Sequence, residues 1–181
     1  METITNLLPK LEKSKGIICD LRGYPNNNHD FISYLLSEDD TCSDWMQIPQ
    51  TIYPDQKNIV GYKELGWEMK AKAPCLGNKN IVFLIDGRSI SYAESYMGFI
   101  KGYNLATIIG QPTAGANGNV NQFKMLGNIN IGFTGMKVLK HDGCQHHAIG
   151  VIPDLYVSKT IQGVKEGRDE FLEKALEVIN H

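Results

Sequence analysis

Two apolar runs with a helical pattern between them dominate the centre of the chain. Residues 81–85 are continuously apolar and end at a turn, and residues 105–109 form a second run of the same kind. Between the runs, apolar side chains recur at helical spacing and predict an amphipathic helix that begins close to Ser91. The pattern therefore predicts a strand, a helix and a strand in succession, with a serine where the first strand gives way to the helix.

The same reading extends along the rest of the chain. Further strands are predicted at residues 16–21, 120–126, 128–134, 135–140 and 149–157, and further helices before residue 16, at 29–36 and from about Asp169. Residues 37–79 are polar and contain three prolines, which predicts an irregular excursion with at most a short strand near Ile52 or Ile59. Strands that alternate with helices predict an α/β fold.

Composition narrows the class of protein. The 181 residues are 42% hydrophobic and 21% charged, which predicts one globular domain over residues 1–181. A net charge of -2 gives no support for binding nucleic acid or an acidic membrane surface. The four cysteines are far apart and predict free thiols. No apolar run approaches the roughly 20 residues of a membrane span. The first residues lack the long apolar centre of a signal peptide. They resemble the end of a helix that leads into a strand, so the chain is expected to be the C-terminal part of a longer protein.

Ser91 supports two interpretations. With Glu94 three residues later, it fits the capping box S-x-x-E, in which the serine and the glutamate satisfy N–H groups of the first helical turn. A serine at this place also lies beside free main-chain N–H groups, and the Tyr92 N–H could hold a developing oxyanion. The two interpretations are compatible, and the pattern alone does not choose between them.

Two other groups of residues contain side chains or spacings that could bind a ligand. The loop at residues 110–117 has the G-x-x-x-x-G spacing of a phosphate loop, but it lacks the Lys-Ser/Thr pair and is predicted to be a plain turn. Five potential metal ligands lie close together in the sequence: His141, Asp142, Cys144, His146 and His147. Their spacing matches no closed zinc site, so a polar hairpin tip is predicted there instead. No metal or cofactor is expected. The sequence leaves open whether one of these histidines acts as a general base.

Several segments resemble one family, in register and in order. GIICDLRGYPNN at residues 16–27 resembles the DLRGNPGG segment of the tail-specific, or C-terminal processing, serine peptidases. Residues 81–118 are similar to that family's strand, S-A-S-A-S-E helix, strand and G-x-x-T-x-G loop, and residues 148–157 to its G-I-x-P-D-I-x-V strand. The ending is similar to the family's closing helix, so the resemblance covers residues 16–179. The family also includes tricorn-type peptidases and interphotoreceptor retinoid-binding proteins.

The resemblance implies a ClpP/crotonase-like α/β core of mixed β-sheet with flanking helices. It implies hydrolysis of peptide bonds in a peptide or unfolded protein, without a cofactor. Ser91 matches the nucleophile and Glu94 the glutamate of the helix motif. The Tyr92 N–H and an N–H of Asn26 or Asn27 match the oxyanion donors. Location in the cell envelope, or export, is implied by the resemblance only.

The chain departs from the family at the general base. Ala116 stands where the processing peptidases carry the lysine that deprotonates the serine. The base could be a histidine upstream of this core, as in the tricorn-like branch, or it could be His146 or His147. Alternatively, the domain has lost activity and only binds a peptide or an apolar ligand. An acyl-thioester enzyme on the same core has no supporting motif. The sequence predicts neither the substrate sequence nor the oligomeric state.

Overall fold

A parallel sheet with helices on both faces forms the centre of the protein. The computed structural model describes residues 4–25, 28–52 and 55–181. In chain order its elements are α1 (Ile4–Lys13), β1 (Gly16–Asp20), α2 (Asp30–Ser33), β2 (Met46–Thr51), β3 (Ile59–Glu64), β4 (Asn80–Ile85), α3 (Tyr92–Gly102), β5 (Thr107–Gly110), β6 (Val120–Met125), β7 (Ile129–Thr134), β8 (Lys137–Val138), β9 (Leu155–Tyr156), α4 (Ile161–Glu166) and α5 (Glu170–Asn180). The central sheet has the order β1-β4-β5-β9, with every neighbouring pair parallel.

Strand β4 is buried on both faces, as its continuous apolar run predicts. One face packs under α3, whose Tyr96 and Phe99 are 1% and 0% exposed. The other face packs against α5, where Phe171 and Ala175 join Leu84 in a second apolar cluster. Each large apolar side chain buried in this way contributes roughly 1.5–3 kcal/mol. The carboxyl end of β4 is therefore a rigid platform, and Ser91 follows it by six residues.

Several predictions from the periodicity are confirmed. The hairpin around Gly127 is formed by β6 and β7, and a helix precedes β1. The closing helix begins at Glu170, with Asp169 as its N-cap accepting the Leu172 N–H at 3.2 Å. All four cysteines are free. Within the described ranges, no helix is both long and apolar enough to cross a membrane.

Residues 37–79 contain more regular structure than predicted. The short strand expected near Ile59 is confirmed as β3, but the segment also contains β2, where an irregular loop was predicted. β2 and β3 form an antiparallel pair, to which β8 adds a third strand. Pro49 lies inside β2, where a proline suggested a loop. It is tolerated because β8 pairs only with the first two residues of β2 and leaves the rest of that side open.

The remaining differences concern burial and length. The apolar residues at 16–21 predict a fully buried strand, but β1 is an edge strand and only Ile17 is buried among its five residues. The helix predicted at 29–36 is a single turn, α2. Helix α4 was missed, although Thr160 caps it by accepting the Gly163 N–H at 2.9 Å and Gly167 ends it in a left-handed conformation.

Candidate active site

Ser91 occupies a strained position between β4 and α3. Its φ is 54° and its ψ is -107°, which is rare for a residue with a Cβ atom and costs on the order of 1–3 kcal/mol. The surrounding bonds compensate for this cost. The Ser91 N–H donates to the Ala116 carbonyl at 3.0 Å and to Glu94 Oε2 at 3.2 Å. The preceding turn is anchored by the buried Ser89 hydroxyl, which donates to the Leu21 carbonyl at 2.7 Å.

Ser91 belongs to the helix cap and also borders a cleft. The predicted capping box is present, and in it Glu94 Oε2 accepts the Ser91 N–H at 3.2 Å. The Glu94 N–H also donates to the Ser91 carbonyl at 2.9 Å. Ser91 lines a cleft of about 410 Å³, with walls from the glycine loop (residues 110–118) and from β7. A residue of the helix cap is therefore placed at the wall of an open cleft.

The Tyr92 N–H is available beside Ser91. Tyr92 is the first residue of α3, so its N–H has no partner within the helix. In the part of the chain that the structure describes, this N–H finds no acceptor elsewhere either. Asn26 and Asn27, for which the second oxyanion donor was predicted, lie outside the described residues.

Glu94 joins the helix to the glycine loop. Its carboxylate is fully buried and accepts the Thr113 hydroxyl at 2.7 Å, the Gly115 N–H at 2.6 Å and the Ala116 N–H at 2.9 Å. Thr113 in turn accepts the Val151 N–H at 2.8 Å. One carboxylate therefore fixes the loop that forms a wall of the Ser91 cleft. Sequence reasoning identified Glu94 but missed Thr113, whose signal was the threonine of the family's G-x-x-T-x-G loop.

Glu94 is held in its ionised form. Burial alone raises the pKa of this carboxyl, but the nearby His146 side chain and the hydrogen bonds from Thr113 and Gly115 outweigh burial and hold the pKa below the ordinary glutamate value. The group is therefore negative at neutral pH and acts as a hydrogen-bond acceptor, which is the role that its four N–H and O–H partners require.

His146 lies behind Glu94 and outside the Ser91 cleft. The side chain is 4% exposed, and its Nε2 atom is 3.4 Å from Glu94 Oε1 without forming a hydrogen bond. It faces a second cavity of about 310 Å³ that is also lined by Trp45 and Gly98. Ser91 does not line that cavity, so the structure does not bring His146 and Ser91 into one cavity.

His147 does line the cleft together with Ser91. Its Nε2 atom is 3.2 Å from the Val138 main-chain nitrogen. A main-chain N–H can only donate, so Nε2 is the acceptor and the neutral ring carries its proton on Nδ1. While this bond holds, neither ring nitrogen offers a lone pair to the Ser91 hydroxyl.

His141 was predicted at a polar hairpin tip, and its surroundings are different. A tight turn does exist there, with the Lys140 N–H donating to the Cys144 carbonyl at 2.9 Å. The His141 ring, however, packs against Trp45 and Phe99, at centroid distances of 5.7 and 4.7 Å. Burial among these rings lowers the pKa of His141. Among the described residues, no group of three or more potential ligands could hold a metal ion.

His29 was missed by sequence reasoning. Its Nδ1 atom lies 2.7 Å from the Tyr92 hydroxyl, next to the candidate nucleophile. The available signal was weak, because a single histidine after a turn of asparagines is an ordinary loop feature.

Comparisons with known proteins agree with this geometry. The profile of peptidase family S41 matches residues 1–157. No curated protein matches the sequence. Among solved structures, a candidate peptidase from Parabacteroides merdae ATCC 43184 superposes with a TM-score of 0.78 at 18% identity, over 97% of this chain and 55% of its own.

Two further structures are similar. Mature CPAF complexed with lactacystin has a TM-score of 0.70 at 17% identity, over 96% of this chain and 46% of its own. The photosystem II D1 C-terminal processing protease has a TM-score of 0.57 at 18% identity, over 86% of this chain and 37% of its own. The chain thus spans roughly a third to a half of these proteins, which confirm the predicted α/β fold. By its sequence profile and its fold, the chain belongs to peptidase family S41.

Proposed function

We propose that this chain is the nucleophile-bearing domain of a serine peptidase, with Ser91 as the nucleophile. One observation carries the proposal. Ser91 is held in a strained main-chain conformation at the start of α3, at the wall of a cleft. Strain of this kind is retained where the surrounding structure enforces it, and it is common at functional sites.

The Tyr92 N–H supports the same proposal. It lies at the positive end of α3 and has no acceptor among the described residues. In the proposed reaction, the Ser91 oxygen attacks the scissile carbonyl carbon and the carbonyl oxygen becomes an anion next to this N–H. By resemblance, Asn26 or Asn27 supplies a second N–H.

The base in this proposal is a histidine of the parent protein outside this chain. Ala116 offers no proton acceptor, His146 faces a different cavity, and the Nε2 lone pair of His147 is occupied. That histidine takes the Ser91 proton and then returns it to the leaving amine, and water releases the acyl group from Ser91. Residues 1–181 are accordingly proposed as one core domain of a longer protein.

The cleft suits an extended peptide or unfolded protein. Gly115, Gly118 and Gly132 line it, so the main chain of a substrate could approach closely. Val120 and Phe133 add apolar surface to the same cleft. Location in the cell envelope, or export, rests on the family resemblance alone.

An alkyl fluorophosphonate tests the nucleophile. Incubation of the full chain should give an adduct that peptide mass spectrometry locates on Ser91, with Ser91→Ala as the background. Because the chain supplies no ready base, labelling should be slow, and added imidazole should raise the rate in proportion to its concentration. An adduct on another serine, or none above background even with imidazole, would overturn the assignment of Ser91.

His147→Gln tests whether His147 acts as the general base. Glutamine can still accept the Val138 N–H but cannot take a proton. Labelling of this variant should stay within about threefold of wild type, whereas losing a general base costs about 10²–10⁴-fold. A loss of that size would move the base to His147. The measurement is the second-order labelling rate without added imidazole.

A binding domain without turnover is the second candidate function. Ala116 and the occupied Nε2 atom of His147 favour it, because both remove a base from the cleft. This candidate predicts that unfolded peptides bind equally well to wild type and Ser91→Ala, without an adduct on Ser91. Isothermal titration with a denatured protein would measure that binding.

A further inference from the structure

A hydrogen-bonded pair joins two segments that meet beside Ser91. Tyr92 directly follows Ser91 at the start of α3, and His29 directly precedes α2. The Tyr92 hydroxyl oxygen accepts the His29 main-chain N–H at 3.0 Å and lies 2.7 Å from His29 Nδ1. A single phenol group is thus bonded to both the main chain and the side chain of the same residue.

The first bond leaves the phenol proton available for the second. The main-chain N–H must donate, so the phenol oxygen is the acceptor there and its own proton is free for Nδ1. The arrangement that satisfies both side chains places the ring proton of neutral His29 on Nε2. Each such bond contributes about 1 kcal/mol, and leaving a buried partner unsatisfied costs more.

Trp67 packs against this pair. Its ring centroid is 4.9 Å from that of His29 and 5.1 Å from that of Tyr92. Trp67 belongs to the segment between β3 and β4, and it is itself stacked on Phe99 of α3 at 6.3 Å. An apolar ring at this position shields the hydrogen bonds from water and strengthens them. We call His29, Trp67 and Tyr92 the aromatic clasp.

We propose that the aromatic clasp fixes Tyr92 so that its main-chain N–H stays beside the Ser91 hydroxyl as an oxyanion donor. The clasp joins the first residue of α3 to the residue that precedes α2, so the start of α3 is held by a second segment of the chain.

This proposal rests on the proposed function, because it takes the Tyr92 N–H as an oxyanion donor. The clasp residues are positioning residues, since their side chains act through the main chain of Tyr92. The clasp is also specific to this chain relative to the family motif S-A-S-A-S-E, in which alanine follows the nucleophile and has no hydroxyl to bond.

Removal of one oxygen tests the clasp. In Tyr92→Phe, the maximal rate of labelling by an alkyl fluorophosphonate should fall about tenfold when it is measured with imidazole present. This loss is smaller than the roughly 10²–10³-fold decrease in rate that follows complete loss of an oxyanion donor. The inhibitor concentration at half-maximal rate should change by less than about twofold, because binding in the cleft is untouched. Tyr156→Phe is the matched control, since Tyr156 is 69% exposed on β9.

Two substitutions of His29 test whether the Tyr92 hydroxyl needs a hydrogen-bond acceptor there. In His29→Asn, the amide oxygen lies near the position of Nδ1 and accepts the Tyr92 proton, so the labelling rate should stay within about threefold of wild type. His29→Ala removes the acceptor and should match Tyr92→Phe. Equal rates for His29→Asn and His29→Ala would show that the acceptor does not matter, which contradicts the proposal.

The outcomes separate this proposal from the proposed function. If the adduct forms on Ser91 and Tyr92→Phe labels at the wild-type rate, the positioning role is overturned and Ser91 stays the nucleophile. If wild type forms no Ser91 adduct, the oxyanion role fails with the proposed function. Hydrogen exchange then tests the bond itself: the His29 amide should exchange on the order of tenfold faster in Tyr92→Phe, and an unchanged rate would refute the clasp.

Discussion

Replacing Ala116 with lysine is expected to raise the rate of Ser91 labelling by about 10²–10⁴-fold at a pH where the lysine is neutral, the range typical of general-base catalysis. The side chain of Ala116 is exposed and lines the same cleft as Ser91. Its main chain is already fixed at both polar groups, because its N–H donates to Glu94 and its carbonyl accepts the Ser91 N–H. A lysine here can therefore reach the hydroxyl without moving the loop.

The pH dependence provides a second readout. Only the neutral amine accepts a proton, so the gain should be small at neutral pH and should grow as pH rises and the lysine loses its proton. The rate of fluorophosphonate labelling between pH 7 and pH 10 measures it.

Ala114→Lys is the matched control. Ala114 is exposed in the same loop but does not line the cleft, so a lysine there should leave the labelling rate within about twofold. Equal gains in both variants would indicate a general effect of positive charge. No gain in Ala116→Lys, with the loop intact, would mean that the cleft does not bring residue 116 to the Ser91 hydroxyl.

Glu94→Gln is expected to lower the free energy of unfolding at pH 7 by about 1.5–3 kcal/mol, the range for losing hydrogen bonds to a buried charged group. The buried carboxylate accepts from Thr113, Gly115, Ala116 and the Ser91 N–H. A glutamine amide keeps one acceptor oxygen and turns an NH₂ group toward donors. The loop and the Ser91 turn should loosen together, and Ser91 labelling should fall with them.

The sign of the pH effect follows from the lowered pKa of Glu94. A carboxyl whose pKa is lower in the folded state stabilises the protein fully above its unfolded pKa, about 4.3 for glutamate, and loses that contribution as pH falls through the folded value. The gap in stability between wild type and Glu94→Gln should therefore be largest at neutral pH and narrow in acid. Urea unfolding at pH 7 and near pH 3 measures both gaps.

Glu173→Gln is the control for charge removal. Glu173 forms an exposed ion pair with Arg168 on the surface of α5, and such pairs contribute about 0–1 kcal/mol. A Glu94→Gln protein as stable as Glu173→Gln at pH 7 would show that the buried carboxylate does not hold the loop.

Local patterns in the sequence were sufficient for the elements around Ser91. The apolar run of β4, the spacing in α3 and the turn residues around Gly127 act over a few neighbours, so they can be read without the fold. The segment between Leu36 and β4 was harder, because β2 becomes a strand only by pairing with β3 and with the distant β8. Neither the prolines nor the polar residues of that segment predict such strand pairing.

The sequence by itself determined the family, the α/β class and the serine at the start of α3, since these depend on short motifs and on periodicity. Only the tertiary structure decided what surrounds that serine. Glu94 meets Thr113, His29 meets Tyr92, and the Val138 N–H occupies His147 Nε2. Each of these contacts joins residues 9 to 63 positions apart. Hydrogen bonds depend on distances of tenths of an ångström and on direction, and chain folding sets both.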